Sequence, residues 1–262
     1  MFVVFVSLGL TLEGKITMIT KTTKALIVEA TAGSGKTSTI VDGLNFATTG
    51  KYPTKYKPSE EQKDIWEWLM DETKGMKSEN VLVCAFSKAI ADKLEKELQF
   101  GEASTIHSLG CTILRENKIK TKLDKSYKTI NLFLEYSQIK DLRSMTNETR
   151  TILDDVKNLV KICKDNVLNE DDINELTLKT VMNDAEYETQ THTDVLVPAI
   201  KFILEKGSIL PTPTKGAFDK MDRMIIDYDD MIYIPARYGM HIKKDMIIVD
   251  EAQDVSFGKL KL

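Results

Sequence analysis

Apolar runs without polar alternation recur along the chain, each followed by a stretch of helical periodicity. ALIVE, residues 25–29, flows into ATAGSGKT and then a helix-like stretch to about Asn45. Strand, Gly-rich turn and helix in that order open a parallel α/β sheet. VLVCAF, 81–86, reads as a second buried strand, and SKAIADKLEKEL follows it. There Ile90, Leu94 and Leu98 recur every four residues beside Ala91, which predicts an amphipathic helix behind a Ser87 cap. Strands this uniformly apolar are expected where helices cover both faces of a sheet. Between the two units lies a Lys-rich break, GKYPTKYKP at 50–58, with no acidic residue. Ser59 to Met70 then predicts a helix. Pro58 precedes it, Ser59 is its N-cap, Gln62 is the capping-box partner, and Ile65, Trp66 and Leu69 form its apolar stripe. MIIVDEAQD, 246–254, returns to the sheet pattern and ends in a carboxylate pair.

Residues 115–240 differ in character. Residues 115–128 hold six basic and two acidic side chains, whereas 141–194 hold 13 acidic and 6 basic ones. Ile152, Val156, Val160, Cys163 and Val167 have helical spacing, and KGSILPTPTKG, 206–216, reads as a loop. The pattern predicts an α/β fold whose parallel sheet is interrupted by a mostly helical insertion.

Composition narrows the class. Of 262 residues, 42% are hydrophobic and 29% charged, a globular balance that excludes collagen-like and fully disordered chains. Lys plus Arg number 36 against 40 Asp plus Glu, a net charge of −4, so nucleic-acid binding would have to use a local groove. Cys84, Cys111 and Cys163 are too few and too scattered for a disulfide framework or a zinc site. The first twelve residues, MFVVFVSLGLTL, are uncharged but shorter than the roughly 20 apolar residues that span a bilayer. They have no basic segment before them, so a cytoplasmic location is expected.

Candidate chemistry sits at two strand ends. Thr31, Ala32, Gly33, Ser34, Gly35, Lys36 and Thr37 supply the second half of the Walker A pattern G-x-x-x-x-G-K-[ST], with Ala30 in place of its first Gly. Glycines let successive N–H groups curl around a phosphate, Lys36 can reach the β- and γ-phosphates, and the Thr37 hydroxyl can ligate Mg²⁺. The following helix adds its N-terminal dipole. Asp250 and Glu251 close the MIIV strand 213 residues beyond Thr37. Asp250 is placed to hold Mg²⁺ opposite Thr37, and Glu251 to take a proton from the attacking water. ATP and Mg²⁺ are therefore the expected cofactors, in a P-loop NTPase of RecA-like α/β fold.

These elements together resemble the UvrD/Rep-like helicases of superfamily 1. IIVDEAQD, 247–254, is similar to their second acidic motif and EATAGSGKT, 29–37, to their ATP-binding loop. CAFSKAIADKL, 84–94, resembles their A-F-T-N-K-A-A element, with Lys88 and Ala89 where the family has Asn and Lys. Thr105, Ile106, His107 and Ser108 resemble T-F-H-S, and Tyr228, Asp229, Asp230 and Met231 match an aromatic-Asp-Asp-apolar signature that closes the helical insert. The resemblance implies a RecA-like ATP-binding domain at 1–110 and 241–262, with a helical insert at 111–240. It implies an ATP-dependent helicase or translocase on single-stranded DNA, 3′ to 5′. Phe86, Ser87, Lys88, Thr105 and His107 would face the DNA, and Gln253 would link the γ-phosphate to neighbouring elements. The family's second RecA-like domain has no counterpart before the chain ends, which implies a partner half, trace ATPase and no unwinding for this chain alone. The other reading is a non-catalytic nucleotide- or DNA-binding fragment, or one subunit of a split motor.

Several residues stay open between two roles. Gln62 either contacts adenine or only closes its capping box. Trp66, Phe100 and Phe133 are stacking platforms or, as single aromatics at helical spacing more often are, core. His107 donates to a phosphate or packs. The basic stretches 51–57 and 115–128 contact phosphates or form solvated loops.

Overall fold

The computed structural model describes residues 2–8, 16–21, 25–30, 35–124, 127–211 and 223–251, with side chains at Val28 and from Gly35 onward. In chain order the elements are β1 (Phe2–Leu8), β2 (Ile16–Lys21), β3 (Ala25–Ala30), α1 (Lys36–Thr49), α2 (Glu60–Glu72), β4 (Val81–Ala85), α3 (Lys88–Glu97), β5 (Glu102–Thr105) and α4 (Ile106–Glu116). They continue with β6 (Thr121–Leu123), α5 (Lys128–Ser137), α6 (Asn147–Asp165), α7 (Glu175–Asp184), α8 (Thr193–Gly207), β7 (Met224–Ile226), α9 (Asp230–Arg237) and β8 (Met246–Val249). Two compact units divide the chain: Met1–Leu109 with Lys243–Val255, and Gly110–Ile242 with Ser256–Leu262.

The first unit is built on a six-stranded sheet of order β2-β3-β1-β8-β4-β5. All neighbours pair parallel except β2, which runs antiparallel to β3 at the edge. Val249 at the end of β8 pairs with Phe5 on one side and Cys84 on the other, and Ala85 pairs with Thr105. The carboxyl ends of β3, β8, β4 and β5 therefore lie along one edge of the sheet. The uniformly apolar β4 is buried at all five positions, as a strand covered on both faces must be. The core joins Val81, Val83, Ala85, Met246 and Ile248 of the strands to Ile40, Leu44, Trp66, Leu69 and Leu94 of the helices.

Two strands depart from the expected pattern. FVVFVSL, weighed above only as a membrane segment, forms β1 between β3 and β8. Phe86 lies beyond the end of β4 and is 55% exposed, so the second strand stops at Ala85. Among the described residues no helix is long and apolar enough to cross a membrane.

Helix ends follow local rules. Ser59 Oγ accepts from Gln62 N while Gln62 Oε1 accepts from Ser59 N, which completes the capping box of α2. Ser87 Oγ accepts from Ile90 N at the start of α3. Against α2, α1 packs closely at Gly43: a Cβ there would lie 2.6 Å from Cδ1 of the fully buried Trp66.

The second unit is mostly helical, with one short parallel pair, β6–β7. Its core is drawn from α5, α6, α8 and α9, including Phe133, Val156, Leu159, Cys163, Ile200, Ile203, Tyr233 and Ile234. The helix expected to run through Val167 ends at Asp165, and Val167 takes a left-handed φ of 56° after the Asn166 cap.

The Tyr-Asp-Asp-Met motif has a structural role here. Asp230 is fully buried and pairs with both Lys128 and Lys164, the latter at 2.8 Å. Lys164 also pairs with Asp227 at 2.8 Å, and Asp227 N donates to Asp230 Oδ2 at 2.9 Å. Lys128, in a basic stretch expected to contact phosphates or form a solvated loop, is instead a buried member of this network. Burial works to raise the Asp230 pKa, but Lys164 and Lys128 outweigh it and hold the carboxyl below its ordinary value. The stability contributed by that depression is present above the ordinary carboxylate pKa and is lost as pH falls through the lowered one. Asp230→Ala would leave the buried Lys128 ammonium without a carboxylate and Lys164 with Asp227 alone, a loss of about 3–5 kcal/mol. Urea unfolding should show the second unit melting first; a variant as stable as the parent would refute the clamp.

Candidate functional site

The parallel topology decides where chemistry can assemble. In an open α/β sheet, ligands bind outside the carboxyl ends of the strands, where the loops and helix N-termini converge. α1, α3 and α4 all begin at that edge, after β3, β4 and β5. Their first turns direct unpaired N–H groups and the positive ends of their dipoles towards it.

α1 begins at Gly35, whose φ of 83° is left-handed and suits a residue without Cβ. Lys36, the first helical residue, is buried, and its Nζ lies 3.4 Å from Glu251 Oε2. Thr37 Oγ1 donates to Asp250 Oδ2 at 2.9 Å across 213 residues of sequence. Asp250 N in turn donates to Cys84 O at 3.0 Å, which continues the β8–β4 ladder past the last strand residue. Two acids thus face a hydroxyl and an ammonium at the sheet edge. Thr31, Ala32, Gly33 and Ser34 of the phosphate loop, and Gln253 beyond the acid pair, lie outside the described residues.

Asp250 is only 3% exposed. Burial raises its pKa above the ordinary carboxylate value; the Thr37 hydroxyl and the Lys36 charge pull it down, and neighbouring Glu251 pushes it up. Glu251 sits at φ 55°, a left-handed conformation that a residue with Cβ adopts at a cost of about 1–3 kcal/mol. Such strain collects where surroundings impose a geometry.

The other expected contacts fall along the same edge. Phe86 is exposed at the end of β4, and Lys88 is exposed at the start of α3 with a loose 3.6 Å pair to Asp92. The Ser87 hydroxyl is committed to capping α3. Thr105 Oγ1 likewise accepts from Ser108 N at 3.1 Å and caps α4, and His107 is half-buried in its first turn.

Gln62 is placed differently. Besides its capping box, its Nε2 donates to Thr39 Oγ1 at 2.9 Å, one turn into α1. Trp66 belongs to the core, its Nε1 donating to Thr39 O at 2.9 Å; Phe133 is buried and Phe100 packs against the first core. Burial pushes the Cys84 and Cys163 thiols up to about 12, which makes them packing residues rather than nucleophiles. Tyr52 and Tyr56, which no motif marks, pack on α1 at Phe46 and Asp42. Two tyrosines four apart among lysines were the available signal.

A family model described as AAA domain matches residues 15–262, nearly the whole chain. No curated protein matches it significantly. The family match corrects the narrower assignment to UvrD/Rep-like superfamily 1 helicases. Phosphate and metal binding dictate the Gly-rich turn and the acid-ended strand, demands that P-loop ATPases share. Ser87, Thr105 and Asp230, which sharpened that resemblance, serve here as two helix caps and a buried counter-ion. Sheet, helical insert and family match lead to one conclusion: the chain belongs to the AAA-domain family and is an ATP-binding P-loop NTPase domain, an α/β RecA-like fold with a mostly helical insert.

Proposed function

We propose that this domain hydrolyses ATP at the Lys36–Thr37–Asp250–Glu251 cluster and couples hydrolysis to movement on single-stranded DNA. The observation that carries the catalytic reading is the juxtaposition of Thr37 Oγ1 and Asp250 Oδ2, 2.9 Å apart. One hydroxyl and one carboxylate would suit Mg²⁺, a hard cation that proteins hold through one or two oxygen side chains beside substrate phosphates. When bound, Mg²⁺ neutralises charge on the β- and γ-phosphate oxygens.

The chain's own residues supply the rest. Gly35 and the first turn of α1 offer N–H groups to the phosphates. Lys36 reaches the γ-phosphate, which competes with Glu251 for its ammonium. That exchange loosens Glu251 from the 3.4 Å pair and lets its carboxylate take a proton from water as the water attacks the γ-phosphorus and the bond to the β–γ bridging oxygen breaks, with ADP as the leaving group. Phosphate binding thus arms the base. On this reading Lys36 and Glu251 are the catalytic pair.

The DNA reading is supported by the same edge. Exposed Phe86 offers a ring on which a base can stack, Lys88 an ammonium, and the N-termini of α3 and α4 two positive dipole ends. Thr105, Ser87 and His107 shape that strip.

The first test separates binding from turnover. Glu251→Gln should abolish phosphate release from ATP while calorimetry finds Mg²⁺-ATP bound at least as tightly, since a competitor for Lys36 is gone. Lys36→Ala should lose the binding itself. Turnover by Glu251→Gln at the parental rate would sink the assignment.

Asp250 gives a pH signature. A raised carboxyl pKa in the folded chain contributes stability that is full below the ordinary value and lost as pH rises through the raised one. At neutral pH, Asp250→Asn should therefore melt no lower than the parent without nucleotide, yet lose the upward shift in Tm that Mg²⁺-ATP gives. A lower Tm with that shift retained would contradict the role.

Fluorescence anisotropy with a labelled single strand tests the nucleic-acid reading. Binding should weaken steeply with salt as counterions compete, and Phe86→Ala should weaken it about fivefold or more. Binding indifferent to both would count against it.

A further inference from the structure

α1 and α2 pack side by side with the same chain direction. Thr39 meets Gln62 and Trp66, Gly43 meets Trp66 and Leu69, and Ala47 lies with Met70 and Thr73. Residues 50–58, which join the end of one helix to the start of the other, must therefore run back along the pair. Tyr52 stacks on Phe46 with ring centroids 4.7 Å apart at 25°. Tyr56 reaches Asp42, one turn nearer the start of α1. Asp42 stands six residues beyond Lys36, about 9 Å along the helix axis. The α-phosphate and ribose of a nucleoside triphosphate cover a span of that order.

Tyr56 is fixed by its polar end. Its hydroxyl donates to Asp42 Oδ2 at 2.6 Å, and the Gln62 side chain stands near it. Gln62 is itself held, Oε1 by Ser59 N at 3.1 Å and Nε2 on Thr39 Oγ1 at 2.9 Å. The residue as a whole is 37% exposed, and its chain neighbours Lys51, Lys55 and Lys57 are exposed as well. An anchored hydroxyl on an exposed aromatic residue is what a stacking platform requires, because little side-chain freedom remains to be lost on binding.

We propose that Tyr56 is the platform on which the base of the bound nucleotide stacks, and that Gln62 is a positioning residue that holds it. The inference rests on reading Gly35 to Thr37 with Asp250 as the nucleotide site. It takes the place of direct adenine contact by Gln62, whose amide already donates to Thr39 Oγ1 and whose Oε1 accepts from Ser59 N. Stacking accepts the π-face of any base, so this platform does not distinguish adenine from guanine.

Calorimetric titration of the full chain with Mg²⁺-ATP, Mg²⁺-GTP and inorganic tripolyphosphate separates the two readings. Tripolyphosphate reports the phosphate site alone. Tyr56→Ala should weaken ATP about tenfold and leave tripolyphosphate unchanged. Gln62→Ala should weaken ATP less, and ATP and GTP should bind the parent about equally. Parallel loss of ATP and tripolyphosphate, unchanged ATP binding, or a strong preference for one purine would each overturn the platform. Failure of the parent to bind tripolyphosphate or ATP would overturn the underlying site as well. Should Tyr56→Ala not fold, the parent still decides: nuclear Overhauser contacts between the base protons of ATP and a Tyr ring, lost in Tyr56→Phe, support stacking, and their absence refutes it.

Discussion

The contact on which the candidate site depends is the hydrogen bond from Thr37 to Asp250. It joins the start of α1 to the end of β8 across almost the whole chain, and it exists because β3 and β8 run parallel in one sheet and finish at one edge. Were either strand reversed, hydroxyl and carboxylate would stand at opposite ends. The Lys36–Glu251 pair follows from the same placement, each partner being the chain neighbour of one member of the first pair. Topology therefore precedes chemistry in this unit: the strands fix where charges meet, and the charges then specify the ligand.

That arrangement is not the one that maximises stability. Asp250 is buried beside another acid, and Glu251 is held in a left-handed backbone conformation. The structure tolerates both because the surrounding sheet is closely packed: Val83, Ala85, Met246 and Ile248 are 0% exposed. Hydrophobic burial at a few tens of cal/mol per Å² readily exceeds one strained residue and one awkward carboxylate. The unfavourable terms gather at the edge where a triphosphate and a divalent cation would relieve them.

How much of this could be read from sequence depended on the range of the interaction. The α2 capping box, the Ser87 cap and the buried β4 rest on residues within a few positions of one another, and each was legible. Lys36, Thr37, Asp250 and Glu251 were singled out because phosphate and metal chemistry restricts the side chains allowed, and the structure brings these four to one edge of the sheet. FVVFVSL, too short for a bilayer, showed no strand role on its own, since a strand in the middle of a sheet shows its role only when neighbours on both sides are known. Lys128 is hidden for the same reason: its basic stretch suggested phosphate contact or solvent, and its counter-ion lies 102 residues away. Tyr56 depends on α1 and α2 being parallel, a fact of packing that no local pattern states.

The two buried aspartates make the final contrast. Asp230 and Asp250 are both nearly inaccessible, yet their pKa values move in opposite directions. Burial opposes ionisation at each. Asp230 faces two buried lysines and is drawn down; Asp250 faces one hydroxyl, a lysine already shared with Glu251, and Glu251 itself, and is driven up. A carboxylate whose charge is fully answered by the protein holds structure and has nothing left to offer a ligand. One whose charge is only partly answered is left open to a cation from outside, the role proposed for Asp250. The same residue type thus serves as a clamp in the helical unit and, on that proposal, as a metal-holding acid in the sheet unit, and the difference lies in the number of positive groups within reach.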